Sequence, residues 1–236
     1  FCLSRGLGDV YKRQQYVQVP VEQLFEKPAH LSVEEAAALP LAGLTAYRAL
    51  FTQGQLQPQQ KVLITGIGGG VAVLGLQFAV VAGAQVYVTS GRAEKIERAQ
   101  ALGALGGVVY THPEWGRLLL ELADGEFELI LDGAGGEPFG ILLTLAAPGG
   151  TIVTYGATLG AVPQFNLHRV FWRQLRIIGS TMGTAEEFAA MLRFVEHHQI
   201  VPVVDSVFDF EHVLDAFERL RSEEHMGKVV VRIAAD

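Results

Sequence analysis

The order of elements in this sequence predicts an α/β fold, a doubly wound parallel sheet with helices on both faces. Two observations carry the prediction. Short β-rich runs alternate with helical stretches at roughly 20–30-residue spacing, as parallel strands need when each is joined to the next by a crossover helix. A glycine cluster also lies between the first such strand and an apolar helix. Composition agrees: 236 residues, 50% hydrophobic and 18% charged, suit one to two packed domains. A disordered chain would be poorer in apolar residues. The 27 glycines follow no period of three and no heptad is sustained, which excludes collagen-like and coiled-coil classes.

The elements follow in order. Ser32 is a good N-cap, and Glu34 and Glu35 stand in the first turn, where the helix dipole favours negative charge. Pro40 interrupts this helix, and a second is expected from Gly43 to Phe51. Lys61–Thr65 reads as the first strand, Val71–Ala82 as a buried helix and Gln85–Thr89 as the second strand. Helix Ala93–Leu102, strand Val108–Tyr110, helix Trp115–Ala123 and strand Glu128–Asp132 continue the rhythm. Helix Phe139–Leu145, strand Gly150–Tyr155 and strand Leu175–Gly179 complete it. The tail breaks it: helix Ala185–His198, strand Ser206–Phe210, helix His212–Glu223 and strand Lys228–Ile233 suggest a return to a different sheet. At the other end, Phe1 to about Gln14 has no periodicity, and a coherent pattern starts at Tyr16–Pro20. Residues 1–14 read either as a surface arm or as foreign translated sequence.

Charge and cysteine content narrow the function. A net charge of −7 argues against a nucleic-acid-binding face, which needs clustered Lys and Arg. One cysteine, Cys2, rules out an internal disulfide framework or a multi-cysteine zinc site within this sequence and suits a reducing compartment, so a cytoplasmic location is expected. The longest apolar runs, such as Val71–Ala84, fall short of the roughly 20 residues of a membrane span. The first residues lack a basic region followed by an apolar one, so no signal peptide is expected.

The chemistry concentrates in Lys61–Ala72, where the glycines follow a strand and precede a helix. Glycines there let the backbone turn sharply and approach a pyrophosphate, while the helix N-terminus offers amide groups to the anion. In the fingerprint G-x-G-x-x-G/A, Gly69 and Ala72 fit the second and third positions, and Ile67 stands at the first. Taken alone, the motif is weak, and a ligand-free glycine turn is the lesser alternative. No G-K-[ST] follows, so it is not a P-loop. Gly66-Ile-Gly-Gly-Gly70 also reads as a G-x-G-x-G loop for S-adenosylmethionine, but that class wants an acid after the second strand.

That position carries Ser90, in Thr89-Ser90-Gly91-Arg92-Ala93-Glu94-Lys95. NAD-selective sites place Asp or Glu there for the ribose 2′-hydroxyl. A small hydroxyl with two cations suits a 2′-phosphate instead, so Ser90, Arg92 and Lys95 point to NADP(H). The plainer alternative is a solvated helix start, with Arg92 and Lys95 pairing Glu94 and Glu97. Asp132 ends the fourth strand at the edge where open α/β sheets bind ligands. A loop-bracing role suits it better than a catalytic one. Tyr155-Gly156-Ala157-Thr158 is placed to meet the nicotinamide end. Of the histidines, His197 and His198 end a helix, His225, His112 and His30 read as surface positions, and His168, near Phe171-Trp172, as partly buried. No His or Cys pair has metal-ligand spacing, and no G-x-S-x-G elbow occurs.

Leu39–Leu50, Gly66–Ala72, Leu102–Ala104, Ala147–Gly150 and Gly227–Val231 together resemble the medium-chain dehydrogenase/reductase superfamily, and within it the quinone-oxidoreductase-like and zinc-type alcohol-dehydrogenase-like members. The match runs from about Gln15 to Ile233. The resemblance implies a Rossmann cofactor domain, here residues 41–200, and a GroES-like β catalytic domain, of which 15–40 and 201–236 are remnants at both ends. It implies cofactor contacts from Thr45 near the nicotinamide, Gly68, Gly69, Gly70 and Val71 at the pyrophosphate, and Ser90, Arg92 and Lys95 at the 2′-phosphate. Tyr110 would lie at the adenosine end, Gly133, Gly156 and Ala157 along the cofactor, and Lys228 against cofactor or substrate. Phe171–Ser180 resembles an edge strand through which such proteins form homodimers. The expected reaction is hydride transfer between NADPH and a quinone, an enone or an aldehyde/alcohol pair, with no catalytic residue identifiable. The family's zinc ligands, where present, lie in a segment upstream of Tyr16 that this sequence lacks. That favours the foreign-sequence reading of 1–14 and a fragment that binds NADPH with little turnover. A non-catalytic NADPH-binding sensor is the alternative reading.

Overall fold

The computed structural model describes residues 16–233. The reading of residues 1–14, and Cys2, lie outside the described residues. Six strands form one parallel sheet in the order β3-β2-β1-β4-β5-β6: β1 Lys61–Ile64, β2 Gln85–Ser90, β3 Gly106–Val109, β4 Phe127–Asp132, β5 Ala146–Thr154 and β6 Arg176–Gly179. The order reverses between β1 and β4, which puts the topological switch point beside the glycine loop.

Alternation along the strands feeds two cores, one on each face. Val62, Ile64, Val86, Val88, Leu129 and Leu131 face one apolar cluster, while Leu63, Tyr87, Ile130 and Ile152 face the other. Helices α1 (Val33–Ala37), α2 (Pro40–Tyr47), α3 (Gly70–Val81) and α4 (Ala93–Ala101) precede or interleave with the first strands. Helices α5 (Trp115–Ala123), α6 (Phe139–Leu145), α7 (Leu167–Trp172), α8 (Ala185–His197) and α9 (Val213–Arg221) follow. Ser32 and Glu35 form a reciprocal capping box on α1, and Thr184 and Glu187 do the same on α8. The sequence of α3 is apolar all round, as a helix buried on most sides requires. Phe78 of α3 meets Phe194 of α8 edge-on at 5.6 Å, and Phe194 also packs on Phe51 and Tyr47.

Several expectations are corrected. Pro40 does not end a helix but starts α2 at its first position, where its missing N–H costs nothing; the expected continuation to Phe51 becomes a π-helical turn, Arg48–Gln53. Strand β5 starts at Ala146, ahead of the expected Gly150, because Ala146 pairs with Phe127 before a bulge restores the register at Leu129 and Thr151. Phe171 and Trp172 are helical, in an α7 that was not expected. Asn166 caps it by accepting from the Arg169 amide at 3.2 Å. The strand within Phe171–Ser180 is therefore β6 alone. Among the described residues the first element is a 3-10 turn at Val21–Gln23. The tail forms a separate two-stranded parallel sheet of β7 (Val204–Asp209) and β8 (Lys228–Arg232). No helix among the described residues is long and apolar enough to cross a membrane.

Candidate functional site

Parallel strands bring the loops after β1 to β6 to one edge, and most of the predicted site residues stand there. The sharp turn after β1 is made by Gly66 (φ +63°) and Gly68 (φ +139°), a region that favours glycine. Ile67 between them is buried, and its amide donates to the Thr89 carbonyl at 2.7 Å. This explains the departure from the fingerprint: the strained positions are 66 and 68, leaving position 67 free to carry a core side chain. A Cβ built on Gly66 or Gly69 meets nothing within 4 Å, so open space lies over the loop. Gly69 is the N-cap of α3 and has no side chain to bond the first amides of that helix. No acid stands in the first turn. Gly70 and Val71 thus open a largely buried 12-residue helix whose first amides no side-chain cap engages. A dinucleotide pyrophosphate fits that donor set.

At the end of β2, Ser90 is buried. Its hydroxyl donates to the Ile67 carbonyl at 3.4 Å and accepts from the Arg92 amide at 3.3 Å. Arg92 is the N-cap of α4, and Lys95 lies in its first turn. Neither cation pairs with Glu94 or Glu97 as the plainer alternative had it. Arg92 Nη1 lies 3.5 Å from Glu224, and Lys95 Nζ donates to the Glu223 carbonyl at 2.6 Å. The Lys95 ammonium also crosses close over Gly68. Burial foremost, then the Arg92 charge, depresses the Lys95 pKa. Tyr110 follows β3, with its amide donating to the Ser90 carbonyl at 2.9 Å and its hydroxyl beside Gly91.

The loops after β4 and β5 interlock. Asp132 is buried and braces its own loop: it accepts from Thr65 Oγ1 at 2.7 Å and from the Gly135 amide at 2.9 Å. Tyr155 packs its ring over Gly133, and Gly156 backs onto the Gly133 carbonyl, so a Cβ at either glycine would collide. Burial, reinforced by the Asp132 charge, pushes the Tyr155 phenol above its ordinary range, so it stays protonated. Ala157 lies against Gly135.

Two predicted residues come from elsewhere in the fold. Thr45 is buried in α2. Its hydroxyl donates to the Leu41 carbonyl at 2.8 Å and lies 3.9 Å from the Met182 sulfur. Lys228 opens β8 and lays its stem over Gly70, where a Cβ would fall 2.5 Å from its Cδ. Burial lowers its pKa. It is held there by Gly227, whose amide donates to the Gly68 carbonyl at 2.9 Å.

The segment 222–227 was not anticipated as part of this site, although the Gly227–Val231 motif marked its end. His225, expected at the surface, is half-buried there. His30 is also half-buried, with Nε2 3.1 Å from the Ile200 carbonyl. His168, expected to be partly buried, is exposed and stacks on Trp172 at 5.9 Å. Among the described residues no three His, Cys, Asp or Glu gather as metal ligands.

Comparison with known proteins agrees with this architecture. Residues 70–197 match the zinc-binding dehydrogenase family model. A zinc-type alcohol dehydrogenase-like protein of Leptosphaeria maculans is 37% identical over 235 residues, covering 95% of this chain and 65% of its own length. A crotonyl-CoA reductase of Streptomyces collinus is 30% identical over 234 residues, covering 90% of this chain and 52% of its own length. A crystal structure of an NAD-dependent alcohol dehydrogenase superposes with a TM-score of 0.89 at 37% identity, over 94% of this chain and 65% of that one. A 2-octenoyl-CoA carboxylase reductase in complex with NADP and 2-octenoyl-CoA does so with a TM-score of 0.86 at 30% identity, over 92% of this chain and 54% of that one. The chain thus spans two thirds or less of the proteins it matches. The sheet order, the glycine loop at its switch point and the family match together make this chain a member of the zinc-binding dehydrogenase family, within the medium-chain dehydrogenase/reductase superfamily.

Proposed function

We propose that this chain binds NADP(H) along the carboxyl edge of its sheet, and that the whole protein transfers a hydride to or from a carbonyl-type substrate: a quinone, an enone or an aldehyde/alcohol pair. One observation carries the choice of cofactor. The end of β2 presents Ser90, Arg92 and Lys95, with no carboxylate at positions 89–91 to repel a 2′-phosphate. Relatives include proteins described with either nicotinamide cofactor, so this local chemistry decides between them.

When bound, the nicotinamide ring would donate or accept the hydride, and the protein binds, orients and excludes water. The first amides of α3, around Gly69, Gly70 and Val71, receive the pyrophosphate, with the Lys228 ammonium nearby. Ser90, Arg92 and Lys95 receive the 2′-phosphate, and Tyr110 flanks the adenosine. Gly133, Gly156 and Ala157 keep the channel along the sheet edge open, and Thr45 borders the nicotinamide end. In this reading residues 41–200 are the cofactor domain, and 15–40 with 201–236 belong to a catalytic domain. Strand β6 pairs only with β5 among the described residues, so its outer edge is open to a second copy, as a homodimer through this strand requires. We place the protein in the cytoplasm, since its sequence holds no cysteine pair for an internal disulfide.

A thermal-shift panel tests the cofactor class. NADPH is expected to raise the melting temperature more than NADH, and S-adenosylmethionine to leave it unmoved. A larger shift with NADH, or any with S-adenosylmethionine, contradicts the proposal.

A further inference from the structure

The two cations read as the 2′-phosphate site are already engaged by one short segment of the tail. Lys95 Nζ donates to the Glu223 carbonyl at 2.6 Å, and Arg92 Nη1 lies 3.5 Å from Glu224 Oε1. The other oxygen of Glu224 lies 3.5 Å from Arg219 Nη1. Arg219 itself forks onto Asp205, at 2.9 and 3.0 Å. The segment is pinned on the far side as well, by the Met226 amide on Asp205 at 3.0 Å and the Gly227 amide on the Gly68 carbonyl at 2.9 Å. The Glu224 carboxylate is thus presented to Arg92 by backbone anchored to the glycine loop.

We propose that Glu224 is a cofactor-selectivity residue: its carboxylate stands on Arg92 where a 2′-phosphate would bind, and it must leave Arg92 for that phosphate to be received. The inference rests on the reading of Ser90, Arg92 and Lys95 as the 2′-phosphate site.

Charge balance supports an exchange rather than a simple addition. Arg92, Lys95 and Arg219 are met by Glu223, Glu224 and Asp205, with Arg98 the one further cation acting on Lys95, so most of the positive charge that would attract a phosphate of about −2 is already matched. His225 adds none at neutral pH, since burial and then the Lys95 charge hold its imidazole below the ordinary range. The Glu224 tether is suited to release. Both its ion pairs are long, and the Glu224 and Arg92 side chains are about half exposed, where solvent screening leaves an ion pair weak. The Asp205–Arg219 fork is short and its carboxylate is buried, so Arg219 stays in place when Glu224 leaves. NADH carries no 2′-phosphate and makes no demand on Arg92, so Glu224 costs it nothing.

The test is the affinity of the full chain for NADPH and NADH, by fluorescence titration, in Glu224→Gln and Arg92→Ala. Glu224→Gln is expected to tighten NADPH about two- to fivefold, the range an exposed ion pair commands, and to leave NADH unchanged. Its melting temperature should be unaltered, since the side chain lies at the surface. Unchanged or weaker NADPH binding in Glu224→Gln, with Arg92→Ala still losing NADPH affinity, overturns the role of Glu224 and leaves the 2′-phosphate site standing. Equal tightening of NADH and NADPH also overturns it, because Glu224 would then repel the dinucleotide as a whole. Unchanged NADPH affinity in Arg92→Ala removes the 2′-phosphate site itself, and this inference with it.

Discussion

Arg92 is the residue on which cofactor choice turns. It leads α4 from the N-cap position, with its backbone amide on the Ser90 hydroxyl and its guanidinium half exposed at the mouth of the site. A charge-assisted hydrogen bond to phosphate is worth about 1.5–3 kcal/mol, less where solvent screens it. Arg92→Ala is therefore expected to weaken NADPH about tenfold and to leave NADH within about twofold, as measured by calorimetric titration. Gly227 is a second decisive residue. Its φ of +101° and the Val203 carbonyl, 2.2 Å from where a Cβ would sit, leave no room for any side chain. Gly227→Ala should cost about 2 kcal/mol or more and pull Lys228 off the glycine loop. A melting temperature within a degree or so of the parent would contradict that. Neither constraint can be read from a single sequence. The glycine cluster at 66–70 announces a turn, but which glycines take positive φ depends on Ile67 finding a place in the core.

At the scale of elements, the C-terminal β7–α9–β8 unit is locked by Asp205. Burial alone would raise that carboxyl, but the Arg219 fork, the Met226 amide and the Ser206 hydroxyl outweigh it and hold the group at about 2, below the ordinary 3.8. A depressed folded-state pKa contributes stability above the unfolded value and loses it as pH falls through the folded one. Asp205→Asn should therefore destabilise by on the order of 1 kcal/mol at pH 7, after allowing for solvent screening. The deficit should close as pH falls from about 4 towards 2. A deficit of the same size at pH 7 and at pH 3, followed by urea unfolding, would show that the ionised form matters little. The elements with the strongest periodicity were legible in the sequence: α5 and α6 fall where expected, and the first four strands agree to within two residues at either end. The failures arise where periodicity carries no signal. Pro40 starts α2 with only two residues between it and Ala37, where α1 ends. The short α7 has its signal in the Asn166 cap rather than in periodicity, and the Phe127–Ala146 pairing that lengthens β5 depends on a bulge.

At the scale of the whole molecule, the cofactor edge is assembled from distant parts of the chain: the glycine loop, the end of β2, and a tail segment that folds back over both. The sequence showed that the tail leaves the main sheet, but not that it returns to bond Gly68, Arg92 and Lys95. Ion pairs between residues more than a hundred positions apart have no local signature. The open edge of β6 and the exposed Phe171 and Trp172 beside it bear on assembly. Sedimentation velocity should find a dimer, and Phe171→Glu with Trp172→Glu should shift it towards monomer; a monomer at all concentrations would contradict the proposed pairing. The most direct test of the account is the relative affinity of the full chain for NADPH and NADH by isothermal titration calorimetry. NADPH binding at least about tenfold tighter is predicted from the Ser90–Arg92–Lys95 corner. NADH binding as tightly or more tightly would contradict it.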